Sequence, residues 1–430
     1  MSTRLTCVPA VLQIAPLAIP QIAYCLLQIA GDVAPVAATH YLFLVDASQS
    51  MRIPIADEAL FRQLVQRGGA FETLVDGVPV WQLAEALPNE LRRSLPSALS
   101  YASRALHAAL ERLGAQDHFS LVAFGDGATL VCSGPASQRA ELAHAIDRID
   151  QIDAGTGTNM VAGLAHAHSA LRGAPTTLRP HILLITDGFA ENHAACEEQA
   201  AVLVAAGATI STLGVGSEFH ELLLTTLADR SGGQALMVRD VARIPDLVAA
   251  DLQPAGSLPR SVTITPSAGV QLRRVTPLRP VLGTPREPAA GEPARIVLNG
   301  ATAHEILLEL LLPIHFSGCA ATIEAVGGNT IPLLARSGST PPPARLVAAV
   351  GAATAARIQQ RALARAADDP HGAAQQLTAA AQRFAALGAA DLAAAARAQA
   401  QQLTATGRLD QAAAKDLTYA TRRLQIDEAG

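Results

Sequence analysis

Residues 40–50 run His-Tyr-Leu-Phe-Leu-Val-Asp-Ala-Ser-Gln-Ser. The apolar run Tyr41–Val45 is too short for a buried helix and too continuous for a strand with one wet face, so it predicts a strand covered on both sides. At Asp46 it gives way to a polar D-x-S-x-S loop. A buried strand that ends in a loop of short oxygen-bearing side chains places those side chains at the carboxyl edge of a sheet.

Downstream the same style repeats. Pro96–Leu113 carries Leu99, Ala102, Leu106, Leu110 and Leu113 at helical spacing. His118–Phe124 and Thr129–Cys132 read as strands around a turn at Gly125-Asp126-Gly127. Helices are expected over Gln138–Ile149 and Asn159–Leu171, then the apolar strand His181–Thr186 and a helix over Asn192–Ala206. The strand Thr209–Val215, the helix Glu218–Ser231, the strand Ala235–Val238 and the helix Val241–Leu252 complete the series. Buried strands alternating with helices mean an α/β doubly wound (Rossmann-like) domain over residues 38–254. Such sheets bind ligands beyond the carboxyl ends of their strands.

From about residue 255 to 338 the helix period disappears. Short strand-like runs with Gly/Pro turns predict a β-sandwich. Residues 1–37 lack a strand partner of their own and are assigned to that sandwich, with Ile22–Ile29 as the best strand. Ser339–Pro343 (Ser-Thr-Pro-Pro-Pro) reads as a stiff linker. Residues 344–430 are rich in Ala, Gln and Arg. Breaks at Asp369-Pro370, Gly388 and Gly407 divide them into about four helices.

Three polar segments fall at one edge of the predicted sheet: Asp46-Ala47-Ser48-Gln49-Ser50, Gly155-Thr156-Gly157-Thr158-Asn159 and Thr186-Asp187-Gly188. Asp46, Ser48, Ser50, Thr158 and Asp187 can therefore converge. They offer hard oxygen donors without imidazole or thiolate, a set suited to Mg²⁺. Capping of strand-to-helix junctions would use the same residue types singly; three agreeing segments favour the metal.

These motifs make residues 38–254 resemble a von Willebrand factor type A (VWA) domain of bacterial type with an intact metal-ion-dependent adhesion site. Gly214-Val215-Gly216-Ser217 ahead of a helix is also similar to that family. The resemblance implies that Ser48, Ser50 and Thr158 bind Mg²⁺ through their hydroxyls, with Mn²⁺ or Ca²⁺ as alternatives. Asp46 and Asp187 would act largely through bound waters. One coordination position would be left for an acidic side chain of a partner protein. It further implies a non-catalytic scaffold in a bacterial cytoplasm, with an AAA+ ATPase or a signalling complex as the kind of partner. The segment 52–95 is longer than the usual connection of that family. It reads either as a cap that offers Asp57, Glu58, Glu72 or Asp76 to the metal, or as an excursion packed on the domain's flank around Trp81.

Composition narrows the alternatives. Half of the 430 residues are hydrophobic and 16% charged, enough for real cores. The net charge of −5 and the lack of a basic cluster argue against a nucleic-acid platform. Lys415 is the only lysine and stands in Ala-Ala-Lys-Asp, so there is no Walker A loop. The five scattered cysteines, with no C-x-x-C, suggest reduced thiols. Residues 5–31 are uncharged, but Pro9, Pro16 and Pro20 break them too often for a membrane span. An export signal cleaved near Val36-Ala37-Ala38, and hence an exported adhesion protein, is the alternative address. Metal-dependent phosphoester hydrolysis is the alternative chemistry. It would need a base from among Asp126, Asp153 and Glu191, none of which lies in a catalytic motif.

Overall fold

A computed structural model describes residues 4–30, 38–53, 65–66, 70–75, 78–83, 95–190, 192–216, 218–252, 261–298, 303–325 and 329–424. The chain opens with strands β1 (Arg4–Val8), β2 (Val11–Ile14) and β3 (Gln21–Ala30). Next come β4 (Thr39–Asp46), β5 (Ala70–Val75), β6 (Val78–Leu83), helix α1 (Ala98–Arg112), β7 (His118–Phe124), β8 (Ala128–Pro135), α2 (Arg139–Asp147) and α3 (Met160–Arg172). After these run β9 (Arg179–Thr186), α4 (His193–Ala205), β10 (Thr209–Val215), α5 (Glu221–Ser231), β11 (Ala235–Val238) and α6 (Ile244–Asp251). The strands β12 (Ser261–Pro266), β13 (Gln271–Arg279), β14 (Ala294–Val297), β15 (Ala303–Leu312), β16 (Gly318–Ala325) and β17 (Thr330–Ser337) follow. Helices α7 (Ala344–Arg365), α8 (Pro370–Ala386), α9 (Ala390–Thr406) and α10 (Gln411–Arg422) end the described chain.

Two compact units result. One comprises residues 38–223 and 236–253, the other residues 1–37, 224–235 and 254–430. In the first, six strands form one sheet in the order β11-β10-β9-β4-β7-β8. β4 pairs in parallel with β7 and β9, which puts Val45 opposite both Ala123 and Ile185. All eight residues of β4 are buried, because helices cover both faces. β8 runs antiparallel to β7 at the edge and keeps one wet face. The winding reverses at β4: the chain moves first to β7 on one side and later to β9 on the other. Loops that leave neighbouring strands at such a point open a crevice. Helix α1 starts at Ser97, whose side chain accepts from Ser100 N while Ser100 caps it reciprocally. Its Leu99, Ala102, Leu106 and Leu110 pack with Phe43 and Phe119, whose rings lie 5.1 Å apart.

In the second unit the sheets β1-β3-β15-β13 and β14-β12-β16-β17-β2 face each other. Cys25, Leu27, Leu308 and Leu310 from one sheet meet Leu12, Ile264, Ile323 and Leu333 from the other. The N-terminal segment thus supplies strands to both sheets; β2 pairs in parallel with β17, placing Val11 opposite Leu334. β15 is buried on both faces. Ile306, Leu308, Leu310 and Leu312 point into the sandwich, whereas Leu307 meets Leu346, Ala349 and Ala352 of α7. Glu305 and Glu309 share that helix-covered face. Glu309 pairs with Arg274 at 2.8 Å and Glu305 with Arg345 at 2.5 Å. The stretch read as a stiff linker, 339–343, therefore does not hold the helices apart from the sandwich.

The four helices break where Asp369 caps α8, at Gly388, and at Gly407, which takes φ 70° to close α9. Among the described residues no helix is long and apolar enough to cross a membrane. The 52–95 segment contains the hairpin β5–β6, with Glu72 opposite Trp81. The side chains on which its two readings turn, Trp81, Asp57, Glu58, Glu72 and Asp76, lie outside the described residues, as does Glu191.

Candidate metal centre

Three loops leave the carboxyl edge of the first unit's sheet side by side. The loop after β4 is pinned to β7 where Ala47 N donates to Phe124 O at 2.8 Å. Beyond it, Met51 is fully buried while Gln49 and Ser50 stay exposed, so the turn Ser50–Arg52 is anchored by its apolar member. The loop ahead of α3 is held by Asp126, whose carboxylate accepts from Gly157 N at 2.6 Å. Gly155 sits at φ 77°, and a side chain there would collide with the Asp126 carboxylate. Gln49 N donates to Gly155 O at 3.2 Å, which ties the first loop to the second.

The side chains form a connected chain of oxygens. Asp46 is fully buried; its Oδ1 accepts from Ser48 N at 3.0 Å and its Oδ2 from Thr186 Oγ1 at 2.7 Å. Ser48 Oγ lies 3.0 Å from Ser50 Oγ, which donates to Asp187 Oδ1 at 2.8 Å. Thr158 stands half-buried beside Gly188, where an added Cβ would run into its hydroxyl. Asp46, Ser48, Ser50 and Asp187 thus join in one hydrogen-bonded cluster, and Thr158 borders it from the third loop.

Burial sets the electrostatics of both carboxylates. Burial pushes the Asp46 carboxyl above its usual range, against the hydrogen bonds from Ser48 and Thr186. Asp187 is pushed up to about 6, first by burial and further by the charge of Asp46, while Ser50 opposes the shift. Two desolvated carboxylates, one raising the pKa of the other, make a set whose burial a dication would offset. Hydroxyls and carboxylates are the hard ligands that Mg²⁺ takes, and the exposed Ser50 leaves the site open on one side. Among the described residues no three His, Cys, Asp or Glu side chains gather to hold a metal. Here hydroxyls stand where a carboxylate-rich site would place more acids.

Arg52 and Thr186 are the structural residues that sequence patterning does not single out. From just past the D-x-S-x-S loop, Arg52 donates Nε to Ala47 O at 3.0 Å and Nη1 to Asp150 O at 2.7 Å. Its Nη2 reaches Ile152 O at 2.7 Å and Ile149 O at 3.3 Å. One planar guanidinium therefore braces the loop after β4 against the segment that leads into Gly155–Thr158. Thr186 stands within the third motif, but only the packing of β9 against β4 shows that it serves Asp46. Beside the cluster, Gln49, Arg52, Asp150, Asp153 and Thr156 line an open cleft of about 350 Å³.

Comparison with known proteins gives the fold its context. The von Willebrand factor type A domain family matches residues 89–189, and the family described as Sll0103-like, C-terminal alpha-helical domain matches residues 344–426. No curated protein matches the chain. A von Willebrand factor type A structure from Catenulispora acidiphila is 17% identical, with a TM-score of 0.71 over 98% of this chain and 96% of its own. The ArnB paralog VWA2 from Sulfolobus acidocaldarius is 14% identical, with a TM-score of 0.56 over 98% of both chains. The protein therefore carries a VWA domain, a C-terminal helical domain and additional sheets. VWA domains are in general interaction or adhesion modules.

Proposed function

We propose that the protein is a non-catalytic docking scaffold whose VWA domain captures an acidic residue of a partner protein on a divalent cation, Mg²⁺ for preference. Ser48, Ser50 and Thr158 hold the ion through their hydroxyls, and Asp46 and Asp187 balance its charge. The observation that carries this reading is the continuous cluster from Asp46 through Ser48 and Ser50 to Asp187, assembled from loops far apart in sequence. The bound metal supplies an electrophilic centre for one more anionic oxygen. Three of its ligands are neutral, so it retains attraction for the partner's carboxylate.

Hydrolysis lacks a comparable foundation. Asp126 accepts from the backbone of Gly157 and Asp153 from that of Gly155, so both described candidates for a general base already hold the loop together. The partner is a protein with an accessible Asp or Glu, of which an AAA+ ATPase or a signalling complex in the cytoplasm is the class we favour. The test is capture of partners from native lysate by the full chain with Mg²⁺, with chelator, and with Asp46→Asn. Loss of the same captured protein in the second and third conditions supports docking. Capture indifferent to both, or Mg²⁺-dependent turnover of phosphoesters by the purified chain, overturns it.

A further inference from the structure

Cys7 and Cys25 stand on adjacent strands of the second unit. β1 pairs antiparallel with β3, with Cys7 opposite Leu27 and Val8 opposite Leu26. Cys25 is thus the diagonal neighbour of Cys7 and points to the same side, because side chains two apart on a strand share a face. Cys7, Cys25 and Leu27 all enter the sandwich core, while Leu26 turns to the opposite face. The proximity of the two thiols pulls the Cys7 pKa down and pushes that of Cys25 up. Cys25 is fully buried and Cys7 nearly so. The other three cysteines, Cys132, Cys196 and Cys319, lie on β8, α4 and β16.

We propose that Cys7 and Cys25 are a disulfide-forming pair, a modification site that a small-molecule disulfide oxidises to a covalent staple between β1 and β3. The Cys7 thiolate attacks one sulfur of the small disulfide, whose S–S bond breaks and releases one thiolate. Cys25 then gives up its proton and attacks the Cys7 sulfur of the mixed disulfide, expelling the second thiolate. Two protein thiols are oxidised, the small disulfide is reduced to two thiols, and the two protons pass to the released thiolates. Cys7 lies on the edge strand β1, where an oxidant arrives first, and the neighbouring Cys25 thiol lowers its pKa; both set the order of attack.

Diagonal neighbours sit about 7–8 Å apart at Cα, beyond the roughly 4.4–6.8 Å that a disulfide spans, so one strand must close in by about 1–2 Å. β1 can do so: it is a five-residue edge strand with a partner on one side only. Local opening of the same edge admits the oxidant. The staple closes the short loop from Val8 to Tyr24, which restrains the unfolded chain.

The test uses the full-length protein and oxidised glutathione as probe, with thiols counted by alkylation and mass spectrometry after unfolding. The reduced chain titrates all five cysteines. After oxidation in the folded state, two thiols disappear and the mass falls by two hydrogens, with no glutathione retained. Cleavage after Tyr24 then leaves the Cys7 and Cys25 peptides linked. Cys319→Ala still loses two thiols, Cys7→Ala loses none as a pair, and the oxidised wild type melts about 5 °C higher. All five thiols surviving oxidation of the folded protein, or a link to any other cysteine, overturns the assignment. The peptide map decides the matter in the wild type even where a variant fails to fold.

Discussion

Replacing Asp46 with Asn separates metal binding from folding. The Asp46 carboxylate is fully buried and accepts two hydrogen bonds, from Ser48 N at 3.0 Å and Thr186 Oγ1 at 2.7 Å. An amide keeps the shape and the bond from Ser48 and can donate to Thr186, while it removes a charge that burial penalises. The metal-free variant should therefore melt within a few degrees of the wild type. Its response to Mg²⁺ should differ strongly. At a concentration about 100 times the dissociation constant, Mg²⁺ stabilises the wild type by about 2.7 kcal/mol. For a domain of this size that raises the melting temperature by roughly 5–11 °C. Loss of a ligand or of its supporting group weakens metal binding by about 10–100-fold. A 100-fold loss leaves about 0.4 kcal/mol, a rise of roughly 1 °C at the same concentration. Thermal unfolding of both proteins across a Mg²⁺ titration reads the difference. Equal Mg²⁺-induced rises in Asp46→Asn and wild type would refute the assignment of Asp46, and no rise in the wild type with Mg²⁺, Mn²⁺ or Ca²⁺ would refute the site itself.

Gly188→Ala drives a Cβ into the Thr158 hydroxyl; the same titration should show most of the Mg²⁺ response lost, and a retained response would remove Thr158 from the ligand set. Arg52→Ala leaves the carbonyls of Ala47, Asp150 and Ile152 without their donor, so the urea midpoint should fall by the equivalent of about 1–3 kcal/mol, with Arg52→Lys between it and wild type. His40 is almost fully buried against Ser120, and burial, aided by His118, pulls its pKa down to about 4. The fold thus favours the neutral ring: its contribution is complete above the unfolded pKa of about 6.5 and is lost as pH falls toward 4, an amount of about 3 kcal/mol. Urea unfolding between pH 7 and pH 4 should show a shallower fall for His40→Gln than for the wild type, and parallel profiles would contradict this linkage.

The sequence discloses those parts of the structure that rest on local periodicity. Tyr41–Val45 and His181–Thr186 are continuous apolar runs because both faces of the sheet are covered, and the loops that follow them inherit the same edge. That is why Asp46 and Asp187 can be placed together before any packing is known. Arg52 is invisible to the same reasoning, since the carbonyls it grips belong to residues 149–152, on a turn with no pattern of its own. β15 shows the limit from another side. The alternation of Ile306, Leu308, Leu310 and Leu312 announces one buried face, but nothing in it shows that α7 covers Glu305 and Glu309 or that five arginines approach them. Cys7 and Cys25 are eighteen positions apart in a segment with two intervening turns, so only the register of β1 on β3 brings them together.

The composition of the proposed metal site bears on how docking would be controlled. With Asp46 and Asp187 ionised, a bound dication would be neutralised within the site, and the hydroxyls of Ser48, Ser50 and Thr158 would add no further charge. Such a site would have modest affinity of its own, because the desolvation of two carboxylates opposes much of the attraction. A partner's carboxylate contributes the next anionic oxygen, and by linkage it raises the affinity for the ion by the same factor as the ion raises the affinity for the partner. A coupling of about 1–3 kcal/mol would then make the protein's Mg²⁺ dissociation constant fall about 5–150-fold when a captured partner is added at saturation. A partner that binds tightly yet leaves the Mg²⁺ affinity unchanged must dock elsewhere on the molecule, whatever chelators do to its recovery.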